Sequence, residues 1–347
     1  RDDYSEPEYK YNWLHDLNAY IIAFGLLVAL AALIWMSSAS DLLGIGAHIN
    51  SLWGIDVLAN KSLNGWYDQL GAALSLGIIL GVQGIVVSHE LTHRTDRPFD
   101  MFVGRWVFGL MYGTNFATEH VHGHHKNLGF PEIDPVSVKR GTGFYTFLTK
   151  GTYHQWLNGI DIERERLNDN GKSVWNWDNQ VLRAYLRGAL VGIVVIVLSG
   201  WLGLVLWSVA LFFAKYILEG LNYFSHYGMV REKDQPITIR HTYSNNNLIG
   251  NMFLLNLGRH GAHHAYGGDY QNFKACPDQP QSPYGYITMT VLSWIPPLFR
   301  KVMIPVVQNW DEKYATEGEL KIATQHNKES GIDELKKFKP NKTAQLV

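Results

Sequence analysis

The chain has 347 residues and a formal net charge of −1, and this balance gives no footing for nucleic acid or for a strongly acidic partner. Its single cysteine, Cys276, excludes a disulfide framework, a Cys-based zinc site and a rubredoxin-type iron site within the chain. Apolar residues are gathered in a few long runs, and many of the 12 Trp and 18 Tyr stand beside them, as interfacial aromatic belts do.

In chain order, the first run, 20–36 (YIIAFGLLVALAALIWM), is free of charge and long enough to span hydrocarbon. A second, 70–88, leads straight into HELTHR. The third, 101–116, is shorter and carries Arg105. It reads as a re-entrant helix, because a full crossing would put the histidine clusters on either side of it on opposite faces of the membrane. Runs 182–199 and 201–220 flank Gly200 and read as a tight helical hairpin, while 286–299, with Pro296 and Pro297, reads as interfacial. Only Lys61 lies between the first two spans, whereas Arg94, Arg97, Lys126, Lys139, Arg140, Lys150, Arg164, Arg166 and Lys172 follow the second, so the middle segment is expected on the cytoplasmic side.

The expected architecture is therefore an all-α integral-membrane bundle of about four transmembrane helices. A re-entrant helix and a cytoplasmic histidine-rich cap (117–180 and 225–310) complete a single membrane-embedded domain over 1–347, with 328–347 as a solvated tail. The chain starts at Arg1 with no secretory signal pattern, so its first residues read as trimmed.

Fifteen histidines are present, and their spacing carries the functional signal. His89 and His93 form H-x-x-x-H, which on a helix puts both imidazoles on one face. His120, His124 and His125, within EHVHGHHKN, form H-x-x-x-H-H: the i, i+4 pair can share one metal, and the adjacent histidine, turned by about 100°, can address another. His260, His263 and His264 form H-x-x-H-H with the same property. His226 stands alone in NYFSHYG. Nine imidazoles exceed the capacity of one ion, and with no thiolates and a need for open positions, two redox-active iron ions are the expected cofactor. His122 points away from its neighbours and reads as a bystander; His15, His48, His154 and His326 read as structural or solvated, and His241 as intermediate. Glu90, Glu119, Asp134 and Asp269, together with Asn222, flank the clusters as candidates to orient a ligand imidazole through its second nitrogen.

These boxes resemble the integral-membrane non-haem di-iron family of desaturases and hydroxylases, and most specifically its alkane monooxygenases (AlkB type) and the related xylene monooxygenases. HELTHR, EHVHGHHKN with PEIDP behind it, NYFSHYG and LGRHGAHHA stand in that family's order, and the likeness runs from about Tyr20 to Trp310. The resemblance implies an O2-dependent hydroxylase, with the nine histidines as iron ligands and an alkane or alkyl arene as substrate. A separate rubredoxin or ferredoxin with its reductase would supply electrons, docking against basic residues such as Arg94, Arg97, Lys126, Lys139 and Arg140. A bacterial inner-membrane location is implied as well.

Three departures stand out: Ser225 where the family usually has Glu, Gly261-Ala262 where it commonly has Ser-Asp, and four evident spans where it commonly has six. The rival readings are an aromatic methyl hydroxylase, a lipid hydroxylase or desaturase on the same scaffold, a metal-transporting membrane protein, and an inactive metal-binding relative.

Overall fold

The computed structural model describes residues 2–5, 11–111 and 115–340, and among them it contains helices and two isolated bridges but no strand. The all-α expectation holds. The helices that matter below are α1 (Asn12–Ser37), α2 (Trp66–His93), α3 (Pro98–Leu110), α4 (116–127), α5 (144–169), α6 (Gln180–Ser225), α7 (His260–Tyr266), α8 (Tyr286–Ser293), α9 (Pro296–Lys313), α10 (Glu317–Glu329) and α11 (Asp333–Lys336). Where one membrane-embedded domain is expected, the chain divides into two compact units. One holds 13–114 and 180–216, and the other holds 115–179 and 217–340 with the N-terminal residues.

In the first unit, α1, α2 and α6 are each long and apolar enough to cross a membrane. α1 buries one stripe, Ala19, Ala23, Leu26, Leu30 and Leu33, and leaves Ile21, Phe24 and Val28 between 51% and 67% exposed. An apolar face of this kind on a span-length helix suits lipid. α6 breaks at Gly200, whose φ of 67° suits glycine alone. A Cβ on Gly192 would lie 3.2 Å from the Trp207 ring, whereas a straight helix would hold the two residues about 22 Å apart. The helix is therefore folded back on itself, and the two apolar runs expected as a hairpin occupy its two arms. The arm after the turn packs on α2, where Gly77 is so close that a Cβ would meet the Ala210 carbonyl at 2.9 Å.

α3 starts at Pro98, a residue suited to a first helical turn, and its 13 residues reach about 20 Å, too short to cross. Gly104 seats it against Leu91 and Thr92 of α2. Residues 112–114 of the run expected as re-entrant lie outside the described residues. A buried ion network ties α1, α2 and α3 together. Arg94 pairs with Glu90 at 2.9 Å, with Asp100 at 3.1 Å and with Asp16, and Tyr20 donates its hydroxyl to Asp100. Arg94 is thus an internal residue and is not available to dock a carrier.

In the second unit, α9 turns Phe299, Met303, Val307 and Trp310 into the core at helical spacing. The run 286–299 is cut at Trp294–Ile295, ahead of Pro296, into α8 and the start of α9, neither long enough to span. Arg140, also expected at a docking surface, is fully buried. Its guanidinium grips both carboxylate oxygens of Asp311 (2.7 and 2.6 Å), and it also reaches Asn327 and the Gly228 carbonyl. The segment expected as a solvated tail continues α10 and forms α11, with Ile332 and Leu335 buried. Two apolar residues in a polar stretch suffice to anchor it; residues 341–347 lie outside the described residues.

Arg140→Ala leaves Asp311 as a buried, unpaired charge and is expected to cost about 3–5 kcal/mol. Thermal unfolding of the detergent-purified protein measures this. Adding Asp311→Ala should recover part of the loss, and a double variant no better than the single one would show that the pair is not coupled.

Candidate metal centre

The second unit brings together the histidines of three boxes from α4, the end of α6 and α7. α4 is not a regular helix: residues His120–His124 form a π-turn in which the His125 amide donates to the His120 carbonyl. Such turns are rare and recur at functional sites. The extra residue changes which imidazoles align. The sequence spacing predicts that His120 and His124 share a site, but in the structure the Nε2 atoms of His120 and His125 stand 3.1 Å apart, and His263 Nε2 is 3.1 Å from that of His125. His124 faces the other way, with its ring 4.7 Å from that of His226 and 5.0 Å from that of His264.

Two groups result. His120, His125 and His263 form one, and His124, His226 and His264 the other, with all candidate ligand atoms of a group within 4.8 Å of one another. His260 joins the second group through contacts to His226 at 3.2 Å and His264 at 3.1 Å, Nε2 to Nε2. Each adjacent pair, 124–125 and 263–264, gives one ring to each group, because successive residues on a helix turn by about 100°. The groups abut: the His125 and His264 rings stack 4.1 Å apart.

These donors fit metal ions. Two nitrogens held about 2.1 Å from one ion lie about 3–3.4 Å apart, the spacing seen here. His124 Nδ1 meets Asp134 at 2.8 Å, while its buried Nε2 has no hydrogen-bonding partner among the described residues. Burial disfavours a charged His124, yet the Asp134 charge and hydrogen bond outweigh it and raise its proton affinity. A proton held on Nδ1 leaves Nε2 as a lone-pair donor. His226 and His264 are pushed well below the usual histidine range by burial and by the neighbouring imidazoles, which keeps them in the neutral form a metal requires.

The sequence-predicted neighbours separate. Asp134 is fully buried, and its carboxylate also takes the Ser137 hydroxyl at 2.6 Å and the Val136 amide at 3.0 Å. Glu119 is buried and accepts from Asn158 of α5 at 3.1 Å. Gly123 is the reason α5 can come so near: a Cβ there would meet Asn158 at 2.8 Å. Asn222 is buried one turn before His226. Asp269 is half-exposed at the start of the Tyr270–Asn272 turn, where it accepts from Gln271. His241 is structural, held between the Thr238 amide and Glu319. His122 is exposed.

Ser137 and Asn158 escaped the sequence reading. The D-P-V-S spacing was a usable signal for Ser137, whereas nothing local marks Asn158. In the first unit, His89 and His93 occupy the last two turns of α2, with their rings 4.7 Å apart. Glu90 is engaged by Arg94 through two hydrogen bonds.

At the positions where the chain departs from the family pattern, the Ser225 hydroxyl turns back to its own helix at Leu221. A Cβ on Gly261 would lie 2.2 Å from the end of the Gln279 side chain and 2.9 Å from the Ile239 carbonyl, so a serine there would force both to shift. Ala262 opens onto a cavity of about 580 Å³ that Phe273, Cys276 and Asp278 also line.

The fatty acid desaturase family profile matches residues 64–273, more than half of the chain. An alkane 1-monooxygenase 2 of Pseudomonas aeruginosa is 36% identical over 263 residues, covering 74% of this chain and 69% of the relative. An alkane 1-monooxygenase of Pseudomonas putida is 31% identical over 273 residues, 76% of this chain and 65% of the relative. The xylene/toluene monooxygenase hydroxylase component XylM of Pseudomonas putida is 35% identical over 266 residues, 75% and 70%. The order of the boxes, the convergence of three of them in the second unit of a helical chain with span-length apolar helices, and these likenesses agree: the chain belongs to the fatty acid desaturase family, in its branch of membrane monooxygenases.

Proposed function

We propose that the protein hydroxylates the terminal carbon of n-alkanes or alkyl groups to primary alcohols, using O2 and two electrons. The observation that carries this reading is the pair of abutting imidazole groups in a chain whose relatives are named alkane 1-monooxygenases. The proposed ligands are His89, His93, His120, His124, His125, His226, His260, His263 and His264, the first two joining by their H-x-x-x-H spacing. Two iron ions held there would supply the dioxygen chemistry that no side chain of this protein can perform.

The protein's own contributions are positional. Asp134 fixes the tautomer of His124, and Ser137 and the Val136 amide hold that carboxylate in place. Burial of most of the imidazoles keeps water from the centre, and it keeps His226 and His264 neutral. An alkane offers no hydrogen-bonding handle, so selection falls to the shape of an apolar channel walled by the spanning helices. Electrons come from a separate rubredoxin or ferredoxin, since Cys276 alone cannot hold such a centre. Among the basic residues expected to receive it, Lys126 is exposed, while Arg97 and Lys139 are half-exposed and ion-paired. The excess of Lys and Arg after α2 supports a cytoplasmic centre at a bacterial inner membrane.

A second reading, hydroxylation of aromatic methyl groups, is supported by the likeness to XylM, at 35% identity against 36% for an alkane relative. Whole-cell conversion of a mixed panel of alkanes, fatty acids and xylenes, with product identification, separates the readings. Primary alkanols support the first and benzylic alcohols the second. A mid-chain alcohol or a new double bond would displace both, and iron-loaded protein that forms no alcohol with a competent donor would sink the activity. The ligand set has its own test in metal content. His124→Ala and His125→Ala should each lose bound iron while His122→Ala keeps it, and Asp134→Asn should weaken binding about 10–100-fold. Equal losses in all four variants would remove the assignment.

A further inference from the structure

Between the end of α6 and α7, residues 238–244 pass beside two of the backbones that carry the second imidazole group. The Tyr243 amide donates to the carbonyl of Ser225, the residue before His226, at 3.0 Å. The Ser244 hydroxyl accepts from the amide of Gly261, the residue after His260, at 2.8 Å. His226 and His260 meet Nε2 to Nε2 at 3.2 Å, although 34 positions separate them in sequence. Two successive residues of one segment thus hold the backbone next to two histidines of one group. Tyr286 of α8 steadies the crossing: its hydroxyl donates to the Tyr243 carbonyl at 2.5 Å, and Phe224 meets its ring edge-on at 4.8 Å.

The segment contains a single short helical turn, Ile239–His241, so contacts from elsewhere must fix its place. His241, fully buried, is the fastening point. Its Nδ1 accepts from the Thr238 amide at 3.0 Å, which assigns the ring proton to Nε2, and that nitrogen donates to Glu319 at 2.8 Å. Glu319 stands in the first turn of α10, 78 positions further along the chain. Its two oxygens take the Arg240 guanidinium, at 3.0 and 3.1 Å, and one of them also accepts from the Thr316 amide at 2.9 Å. Trp310 of α9 donates its indole N–H to the Arg240 carbonyl at 2.6 Å. Burial pushes the pKa of the Glu319 carboxyl up, yet the hydrogen bonds from His241, Arg240 and Thr316 prevail and bring it down to about 2. Glu319 is therefore charged at neutral pH, and its charge-assisted bonds are stronger than neutral ones.

A metal site holds its ligand distances to within about 0.2 Å, and His226 and His260 come from different elements. Their spacing depends on whatever ties those elements together. We propose that His241 and Glu319 are positioning residues for the second imidazole group: they fasten the 238–244 segment to α10, and that segment sets the spacing of His226 and His260. The inference rests on the reading of these histidines as metal ligands, and it gives α10 a part in the centre that no histidine box reveals.

The test titrates full-length, detergent-purified protein with cobalt(II) and follows metal content and the visible absorption of the bound ion. The native protein should bind an ion in each group, and His120→Ala and His226→Ala supply reference spectra for loss at the first and second groups. His241→Ala, which spares the Glu319–Arg240 pair and the α10 cap, should weaken the second-group ion about 10–100-fold and leave the first unchanged. His241→Gln, whose amide can again donate to Glu319, should recover most of that affinity. Should His241→Ala fail to fold, Ser244→Ala, which cuts the segment at its other end, gives the same loss at smaller amplitude. Native affinity for both ions in His241→Ala or, failing that variant, in Ser244→Ala overturns the positioning role, as does equal weakening of both ions. Native protein that leaves either group empty overturns the ligand reading and the inference with it.

Discussion

An imidazole buried away from water must place both of its nitrogens, and this chain buries most of its paired histidines. That demand organises the second unit. Nδ1 and Nε2 need different partners, and the structure separates them most clearly at His124, where Asp134 takes one nitrogen and the other is left facing His226 and His264. The supporting residues follow from the same demand. Asp134 is itself a buried charge, so it needs the Ser137 hydroxyl and the Val136 amide. Gly123 lets α5 close over the back of α4, bringing Asn158 to Glu119.

The division into two groups is a consequence of helix geometry. A single helix turn cannot aim two adjacent rings at one point, so a doubled histidine serves two points or wastes a ring. Both doubled pairs here serve two points. The π-turn then settles which earlier histidine accompanies which member of the pair. Without it His120 would sit one turn below His124; with it, His120 sits below His125. One inserted residue thus reassigns a ligand without altering the sequence motif.

Much of this was legible in the residues and some was not, for separable reasons. The long apolar runs named the spanning helices because uncharged stretches of that length have few other uses, and Gly200 named the turn in α6. The boxes named the histidines that converge in the second unit, and the spacing in EHVHGHHKN turned His122, which is exposed, to another face. The π-turn was not legible: hydrogen bonding from i to i+5 leaves no mark in residue types. Nor could charge counting tell a docking arginine from a core one. Arg94 and Arg140 look like surface charge in a linear count, and only their partners Glu90, Asp100 and Asp311, up to 171 residues away, show them to be internal. The buried end of the chain misled for the reverse reason, since Ile332 and Leu335 are too few to produce a periodic signal.

The carboxylates show how one departure from a family pattern constrains another. Ser225 is bonded to its own helix and Ala262 lines a cavity, while Asp134 stands in direct contact with His124. Gly261 belongs to the packing of the last box: its amide donates to Ser244 at 2.8 Å, and the space above its Cα is filled by the buried Gln279 side chain. A side chain at 261 would displace the Gln279 amide and press on the Ile239 carbonyl, 2.9 Å from an added Cβ. The bare Cα at 261 and the amide that fills the space above it therefore form one arrangement, which ties the last histidine box to the 274–282 segment.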